Sequence, residues 1–410
     1  MAERTRNGPG EPDRTRALPG GEPAVDPPLA GVRIVDLTQY ESGPSATQLL
    51  AWLGADVLKV EPPTGDPSRS LAGASRERDS ILFALLNQGK RSVALDLKRE
   101  GDRETLLALL ADADVLCENF APGTLGRLGL EVAALRERFP RLVVAAIRGY
   151  APGGPWSDFK SFDFVAQAVG GAISVTGEAD RAPVRIGPTV ADSGAGLHLA
   201  VGILAALLRR ARTGAGGTVD VSLQDAMVNL MRNAMGPGYV SGEPAPRVGD
   251  AYPVAAPSGL HPCAPGGPND YVYVLLGSSR HWEGLLEAID RPDLLGDPRY
   301  ARQSLRNERT EEVRAIVAEW TRRHTKLEAM ERISACGVPC GATLDTQELL
   351  VNPQLVESGM IVEQTLPGWG AVRLPGCPIR IDGVRIAPGP PPALDRDGGA
   401  VRAAARPHRG

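Results

Sequence analysis

Asp192 stands in the run Gly187-Pro188-Thr189-Val190-Ala191-Asp192-Ser193-Gly194-Ala195-Gly196, directly ahead of an apolar stretch, 197–208, that reads as a helix. A helix N-terminus offers unbonded amide N–H groups and the positive end of the helix dipole, and both favour an ionised carboxylate. Asp192 is therefore a candidate nucleophile toward an acyl group, with Ser193, Gly194 and Gly196 leaving space for a bulky compound. An N-capping aspartate produces the same pattern, so the segment alone leaves both roles open. The five cysteines, Cys117, Cys263, Cys336, Cys340 and Cys377, are an odd number scattered over the chain, which suits free thiols in a reducing compartment. Cys336 and Cys340 form the close pair, and without a second Cys or His pair at ligand spacing no metal site is expected.

The elements that must position Asp192 belong to a chain of 410 residues with 42% hydrophobic content, long enough for two or more domains and a large core. A net charge of -4, with Lys and Arg spread along the sequence, gives no electrostatic footprint for nucleic acid. No stretch approaches the ~18 uninterrupted apolar residues of a membrane helix, and the opening residues lack the apolar core of a secretory signal. The expectation is a cytoplasmic protein with no membrane partner.

Short β-branched runs alternate with amphipathic stretches, the pattern of an α/β protein with a mainly parallel sheet. Strands are expected at 32–37, 56–60, 92–97, 115–117, 142–147 and 218–221, and helices at 45–53, 104–111, 197–212 and 223–235. From 236 the chain turns rich in Gly and Pro, then resumes with a strand at 271–276 and helical patterns at 281–289, 311–324 and 326–335. Further strands fall near 360–364 and 371–374. The expected organisation is a disordered tail over 1–28, a large domain over 29–223, a linker over 224–248, and a small domain over 249–335. The chain then returns to the large domain over 336–386, before a flexible tail over 387–410.

Several motifs occur together within 29–382. They are LAGVRIVDLT (Leu29 to Thr38), Gly43-Pro44, LGADVLKVE (Leu53 to Glu61), NQGKRSVALDLK (Asn87 to Lys98), VLCENFAPG (Val115 to Gly123), Arg148-Gly149-Tyr150, and Ala191-Asp192-Ser193-Gly194. Each is weak by itself, but in this order and at these intervals the chain resembles the family III coenzyme A transferases, which include formyl-CoA transferase and carnitine CoA-transferase. The resemblance implies an α/β fold with a large Rossmann-like domain built from both ends of the chain, a smaller α/β domain, and an interlocked homodimer. It also implies transfer of CoA from an acyl-CoA to a small carboxylic acid, with CoA or acyl-CoA as substrate and no permanently bound cofactor.

In that family the Asp opening the long helix attacks the acyl-CoA thioester, giving an aspartyl anhydride and then an enzyme-CoA thioester. The matching residue is Asp192. The loop Gln39-Tyr40-Glu41-Ser42 matches one lining the active site, so Tyr40 is carried over as CoA-binding and Glu41 as catalytic. Formyl-CoA transferase has Gln where Glu41 stands, and a carboxylate there, unless protonated or paired, works against an anionic acceptor, which puts the formyl/oxalate pair in doubt. Lys98, Asn119, Phe120, Arg127, Arg148 and Lys160 match positions around bound CoA, and Pro122-Gly123-Thr124 ahead of a short helix adds a place for phosphate. Lys98, Arg148 and Lys160 read equally well as solvated surface cations, and Glu41 as an exposed loop residue. Phe162 and Asp163 align beside the nucleophile, where Asp163 either bonds near the site or caps a helix. In the small domain, the consecutive glycines of formyl-CoA transferase are replaced by Ala255-Ala256-Pro257-Ser258-Gly259-Leu260, so loop gating is expected to differ.

Two other functions fit the same residues in part. Acyl-CoA racemases of the same fold shuttle the α-proton with a His and an Asp; their Asp aligns with Asp192, but their His falls on Phe162, which cannot take a proton. A non-catalytic CoA-binding protein is the other, since fold alone does not fix function.

Overall fold

The computed structural model describes residues 26–71, 73–75 and 78–405. The expected α/β class is present. Six strands, β1 (Arg33–Asp36), β2 (Asp56–Glu61), β3 (Arg91–Ala94), β4 (Val115–Glu118), β5 (Val143–Arg148) and β6 (Gly217–Ser222), form one sheet in the order β3-β2-β1-β4-β5-β6. The pairs β1–β2, β2–β3, β1–β4 and β4–β5 are parallel. Val35, Leu58, Val93, Leu116 and Val144 from these strands pack with Leu106 and Leu110 of the helix Glu100–Ala111. Strands so covered read as near-continuous apolar runs, which is why they were visible in the sequence. The strand order reverses between β1 and β4, and in such sheets the crevice outside the carboxyl ends at that point receives ligands.

The chain divides into two compact units, one of residues 1–148, 195–221 and 359–410, the other of 149–194 and 222–358. This differs from the expected division in three places. The segment 149–194, including Asp192, belongs with the second unit, where Gln224 donates from its backbone N–H to Gly149 O and from Nε2 to Val169 O. The expected linker over 224–248 carries, besides the helix Leu223–Met231 that falls within the one expected over 223–235, a second helix at Gly236–Ser241. The return to the first unit comes at 359 rather than 336, because β9 (Cys340–Ala342) pairs with β8 (Tyr271–Val274), which also pairs with β7 (Gly259–Pro262). That three-stranded sheet packs Val272 and Val274 with Trp282, Leu285, Val317 and Ile333 from its helices. The hairpin of β10 (Ile361–Leu366) and β11 (Gly370–Pro375) follows.

Residues 1–25 of the expected opening tail, and 406–410 of the closing one, lie outside the described residues. The rest of the expected flexible C-terminal tail is instead ordered along the edge strand β3 and ends in a helix, Gly398–Ala404. Asp397 Oδ2 accepts from Ser92 N–H at 3.0 Å and Asp395 Oδ1 from Ala94 N–H at 2.8 Å, while Asp397 N–H donates to Ser92 O at 3.0 Å and Arg402 to Ala94 O at 3.2 Å. Side chains thereby satisfy a strand edge that would otherwise invite pairing with another chain. Composition concealed this, because the ordering groups are charged residues between prolines and alanines.

The helix Val190–Thr213 begins two residues before Asp192, so Asp192 lies in its first turn rather than ahead of it. By length and composition this helix could cross a membrane, contrary to the sequence reading. Ala195, Leu199, Ile203 and Ala206 on one face are buried, however, and Asp192, Arg209, Arg210 and Arg212 break its apolar length, as in a core helix.

In the second unit His261 is buried, with Nε2 3.0 Å from Pro257 O. Burial pulls its pKa down to about 4, the nearby Arg314 adding to this and the Pro257 carbonyl and Asp250 opposing it. Between pH 6.5 and 4 the unfolded chain takes up a proton at this residue and the folded chain does not. Stability therefore falls as the pH drops through that window, by up to about 3 kcal/mol. Urea unfolding at pH 7 and pH 4.5 should show a loss on acidification that is smaller by this contribution in His261→Gln.

Candidate active site

Ionisable side chains collect at the carboxyl ends of the strands in the first unit. Asp36 ends β1, Glu61 ends β2 with Lys59 two residues earlier, Glu118 ends β4 and Arg148 ends β5. Asp36, Lys59, Glu61 and Glu118 are all buried, and buried charge is tolerated only when paired and hydrogen-bonded. Lys90 Nζ lies 3.0 Å from Asp36 Oδ2, Lys59 Nζ 2.7 Å from Asp66 Oδ2, Arg69 Nε 2.7 Å from Glu61 Oε2, and Arg148 Nη2 2.7 Å from Glu118 Oε1. Burial works to raise the Asp36 pKa, but Lys90, Lys59 and the hydroxyls of Thr38 and Thr47 hold it below the ordinary carboxylate value. Burial pulls the Lys90 ammonium down to about 8 despite the opposing charge of Asp36. Burial pushes Glu118 up, with Arg148 opposing.

These pairs fix the loop that follows β1. Lys59 donates to Thr38 O at 2.7 Å. Asn119, directly after β4, accepts from Gln39 N–H through Oδ1 and donates to Gln39 O through Nδ2, both at 2.8 Å. The two loops on either side of the reversal point are thus joined by one side-chain amide. Tyr40 then adopts φ +63° with its N–H 3.4 Å from Asp66 Oδ1. A left-handed tyrosine is costly by about 1 kcal/mol or more and persists where the surroundings over-determine it. Glu41 is half-buried and heads the helix Ser42–Trp52, its carbonyl accepting from Ser45 N–H at 2.8 Å.

Phe120 is partly buried against the core of the first unit, with its N–H donating to Glu118 Oε2 at 2.8 Å. Arg148 is not the solvated cation that the sequence left possible: besides Glu118 it reaches Phe120 O at 3.3 Å. Arg127 is exposed and donates to Thr124 Oγ1 at 2.7 Å; its helix, Thr124–Arg127, has four residues, too few for a strong dipole. Lys98 is exposed and lies in a turn beyond β3, not at the strand's end. The structure therefore brings Tyr40, Glu41, Asn119, Phe120 and Arg148 to the carboxyl side of the sheet around β1, β4 and β5.

Asp192 and Lys160 belong to the second unit. Lys160 is exposed, beside Phe159, whose ring meets Tyr150 edge-on at 6.3 Å. Phe162 is exposed and Asp163 buried, at 61% and 4% of their surfaces, so adjacent residues aligned with one site play different parts. Asp163 Oδ2 accepts from Ala191 N–H at 2.8 Å and from Asp192 N–H at 3.1 Å. Val190 N–H meets Pro188 O at 2.9 Å, and Ser193 N–H meets Thr189 O at 3.0 Å. Asp163 thus satisfies the first amides of the helix that carries Asp192, while the N-cap of its own helix is Phe162. The amide N–H groups expected to be unbonded at this helix start are consequently occupied.

The space expected around Ser193, Gly194 and Gly196 is also partly filled. A Cβ on Gly194 would come within 2.9 Å of Leu230, and one on Gly196 within 2.8 Å of Ser42 O. Both glycines serve close packing. Sequence reasoning also missed Gln167, which donates to Asp163, and the pairs built on Lys59 and Lys90. A lysine or aspartate within an apolar parallel strand, as at Lys59 and Asp36, was the available signal.

The family profile described as CoA-transferase family III matches residues 29–398. A protein named formyl-CoA:oxalate CoA-transferase from Streptomyces avermitilis is 41% identical over 366 residues, covering 86% of this chain and 89% of its own. Its namesake from Streptomyces coelicolor is 40% identical with the same coverage. Among solved structures, a CAIB/BAIF family protein from Brucella suis has a TM-score of 0.82 and 32% identity, over 92% of this chain and 99% of its own.

Replacing Lys90 with Met leaves Asp36 buried without its nearest counter-charge. Lys90→Met should lose about 3–5 kcal/mol in urea unfolding, and adding Asp36→Asn to it should recover a measurable part.

Proposed function

This chain belongs to CoA-transferase family III, and from that premise we propose that Asp192 is the nucleophile of its CoA transfer. Asp192 attacks the donor thioester carbonyl, expelling CoA thiolate and forming an acyl aspartyl anhydride. The thiolate attacks the aspartyl carbonyl, so the donor acid leaves with one Asp192 oxygen and an aspartyl-CoA thioester remains. The acceptor carboxylate attacks that thioester, releasing thiolate and forming a second anhydride. Attack of the thiolate on the acceptor's acyl carbon yields the new acyl-CoA and regenerates Asp192. Covalent catalysis of this kind divides one difficult exchange into easier ones. The observation that carries the reading is the turn itself: a half-buried carboxylate presented from a helix turn whose own amides are satisfied by Asp163.

In this reading the first unit holds CoA through Tyr40, Lys98, Asn119, Phe120, Arg127 and Arg148. The exposed Lys98 and Arg127 suit the phosphates. Asn119 and Arg148, whose side chains already hold Gln39 and Glu118, shape the pocket walls. The place of Asn119 at the strand-order reversal supports this assignment. Glu41, held in the loop that Lys59 and Asn119 restrain, meets the acceptor acid. The exposed Leu197, Val201 and Leu208 along the long helix suit burial against a second copy, in line with a homodimer.

Incubation with a panel of acyl-CoAs followed by mass spectrometry tests the reading. A hydroxylamine-sensitive adduct on the Asp192 peptide, absent in Asp192→Ala, is expected. No adduct with any donor, together with α-proton exchange into deuterated water, would favour racemisation instead.

A further inference from the structure

We propose that Gln167 is the positioning residue of the nucleophile, acting through Asp163. The proposal rests on Asp192 being the nucleophile. Gln167 is fully buried on the helix Asp163–Val169, one turn beyond Asp163. Its Nε2 donates to Asp163 Oδ1 at 2.6 Å and to Pro188 O at 3.2 Å, and its Oε1 accepts from Ile186 N–H at 2.9 Å. The orientation of the amide is determined, because Ile186 N–H can only donate and so must face the oxygen.

Asp163 is the second half of the device. Among the described residues it forms no ion pair, so its buried charge is compensated by N–H donors alone: Gln167 on one oxygen, Ala191 and Asp192 on the other. Loss of the Gln167 donor would leave half of a buried carboxylate unsatisfied, and the carboxylate would rotate or draw in water to recover a partner. Either response disturbs the oxygen that holds the Asp192 amide. Gln167 simultaneously ties down 186–188, the loop that delivers the chain to the nucleophile's turn. One side chain thus fixes the nucleophile's helix start from both sides. Neither contact touches the reacting atoms, which makes Gln167 a positioning residue and not a catalytic one.

The polarity of the Gln167–Asp163 bond can be reversed, which gives the test. Gln167→Glu sets a carboxylate oxygen against Asp163 Oδ1. Asp163→Asn keeps an acceptor for the two amides but turns an NH2 toward the Gln167 NH2. In the double variant the Asn donates to the Glu, and the bond returns with donor and acceptor exchanged. With a donor acyl-CoA and acceptor acid, each single variant should lower kcat by ~10–100-fold, with KM for acyl-CoA changed by no more than about twofold, and the double variant should regain part of the loss, short of wild type because its Glu oxygen still faces Pro188 O. Activity is expressed per folded protein from thermal melts, and Gln167→Met, which keeps volume without the bonds, is held to the same criterion should Gln167→Glu fail to fold. The proposal is overturned by a kcat within about twofold of wild type in the Gln167 variant, by a loss explained by the folded fraction, or by a double variant no better than the worse single one. Asp192→Ala is measured alongside. An active Asp192→Ala would remove the nucleophile reading itself, whereas an inactive Asp192→Ala beside a fully active Gln167 variant would remove only the role of Gln167.

Discussion

Charge buried at the carboxyl ends of the parallel strands is the constraint on which the first unit depends. Asp36, Lys59, Glu61 and Glu118 are each taken out of water by the sheet that carries them, and each must find its partner from a segment elsewhere in the chain. Lys90 comes from the turn before β3, Asp66 and Arg69 from the segment after β2, and Arg148 from the end of β5. Such pairs add little net stability compared with apolar packing, yet breaking one leaves an uncompensated buried charge. They therefore specify which loops close over the sheet and in what conformation.

The loop after β1 shows the result. Its carbonyl at Thr38 is taken by Lys59 and its Gln39 amide by Asn119, and the left-handed Tyr40 follows between those anchors. A loop restrained in this way can hold Glu41 and Tyr40 without reorganising when a ligand arrives, which is the condition for electrostatic preorganisation. The second unit applies the same logic with hydrogen bonds in place of ion pairs. Asp163 is satisfied by backbone and amide donors, and the segment it fixes is the first turn of the helix bearing Asp192.

Much of this was legible in the sequence because it rests on local pattern. The β-branched runs became β1 to β5 within a few residues, and the motif order identified the family through Asp36, Lys90, Asn119 and Asp192 together. What was not legible depends on contacts between distant residues. Nothing near Asp395 or Asp397 announces that they complete the edge of β3, and a tail rich in Pro, Ala and Arg reads as disorder until the strand edge it covers is known. Gly196 looked like open space because a missing side chain is ambiguous: it marks either access or close packing, and here Ser42 and Ser45 fill the place. Gln167 carries no motif, since a buried amide acquires meaning only from what it bonds. The unit boundary at 359 was missed because β9, only three residues long, gives no strand signal of its own.

Oxygen atoms report whether Asp192 is acylated during transfer. An acceptor acid labelled with heavy oxygen in its carboxylate is turned over with an acyl-CoA donor, and the Asp192 peptide is then weighed. Transfer through aspartyl anhydrides leaves acceptor oxygen in the regenerated Asp192 carboxylate and sends Asp192 oxygen out with the donor acid, so label should accumulate on that residue with successive turnovers. Turnover to the new acyl-CoA with the Asp192 carboxylate unlabelled would contradict the account, because CoA would then have passed to the acceptor without the aspartate ever being acylated.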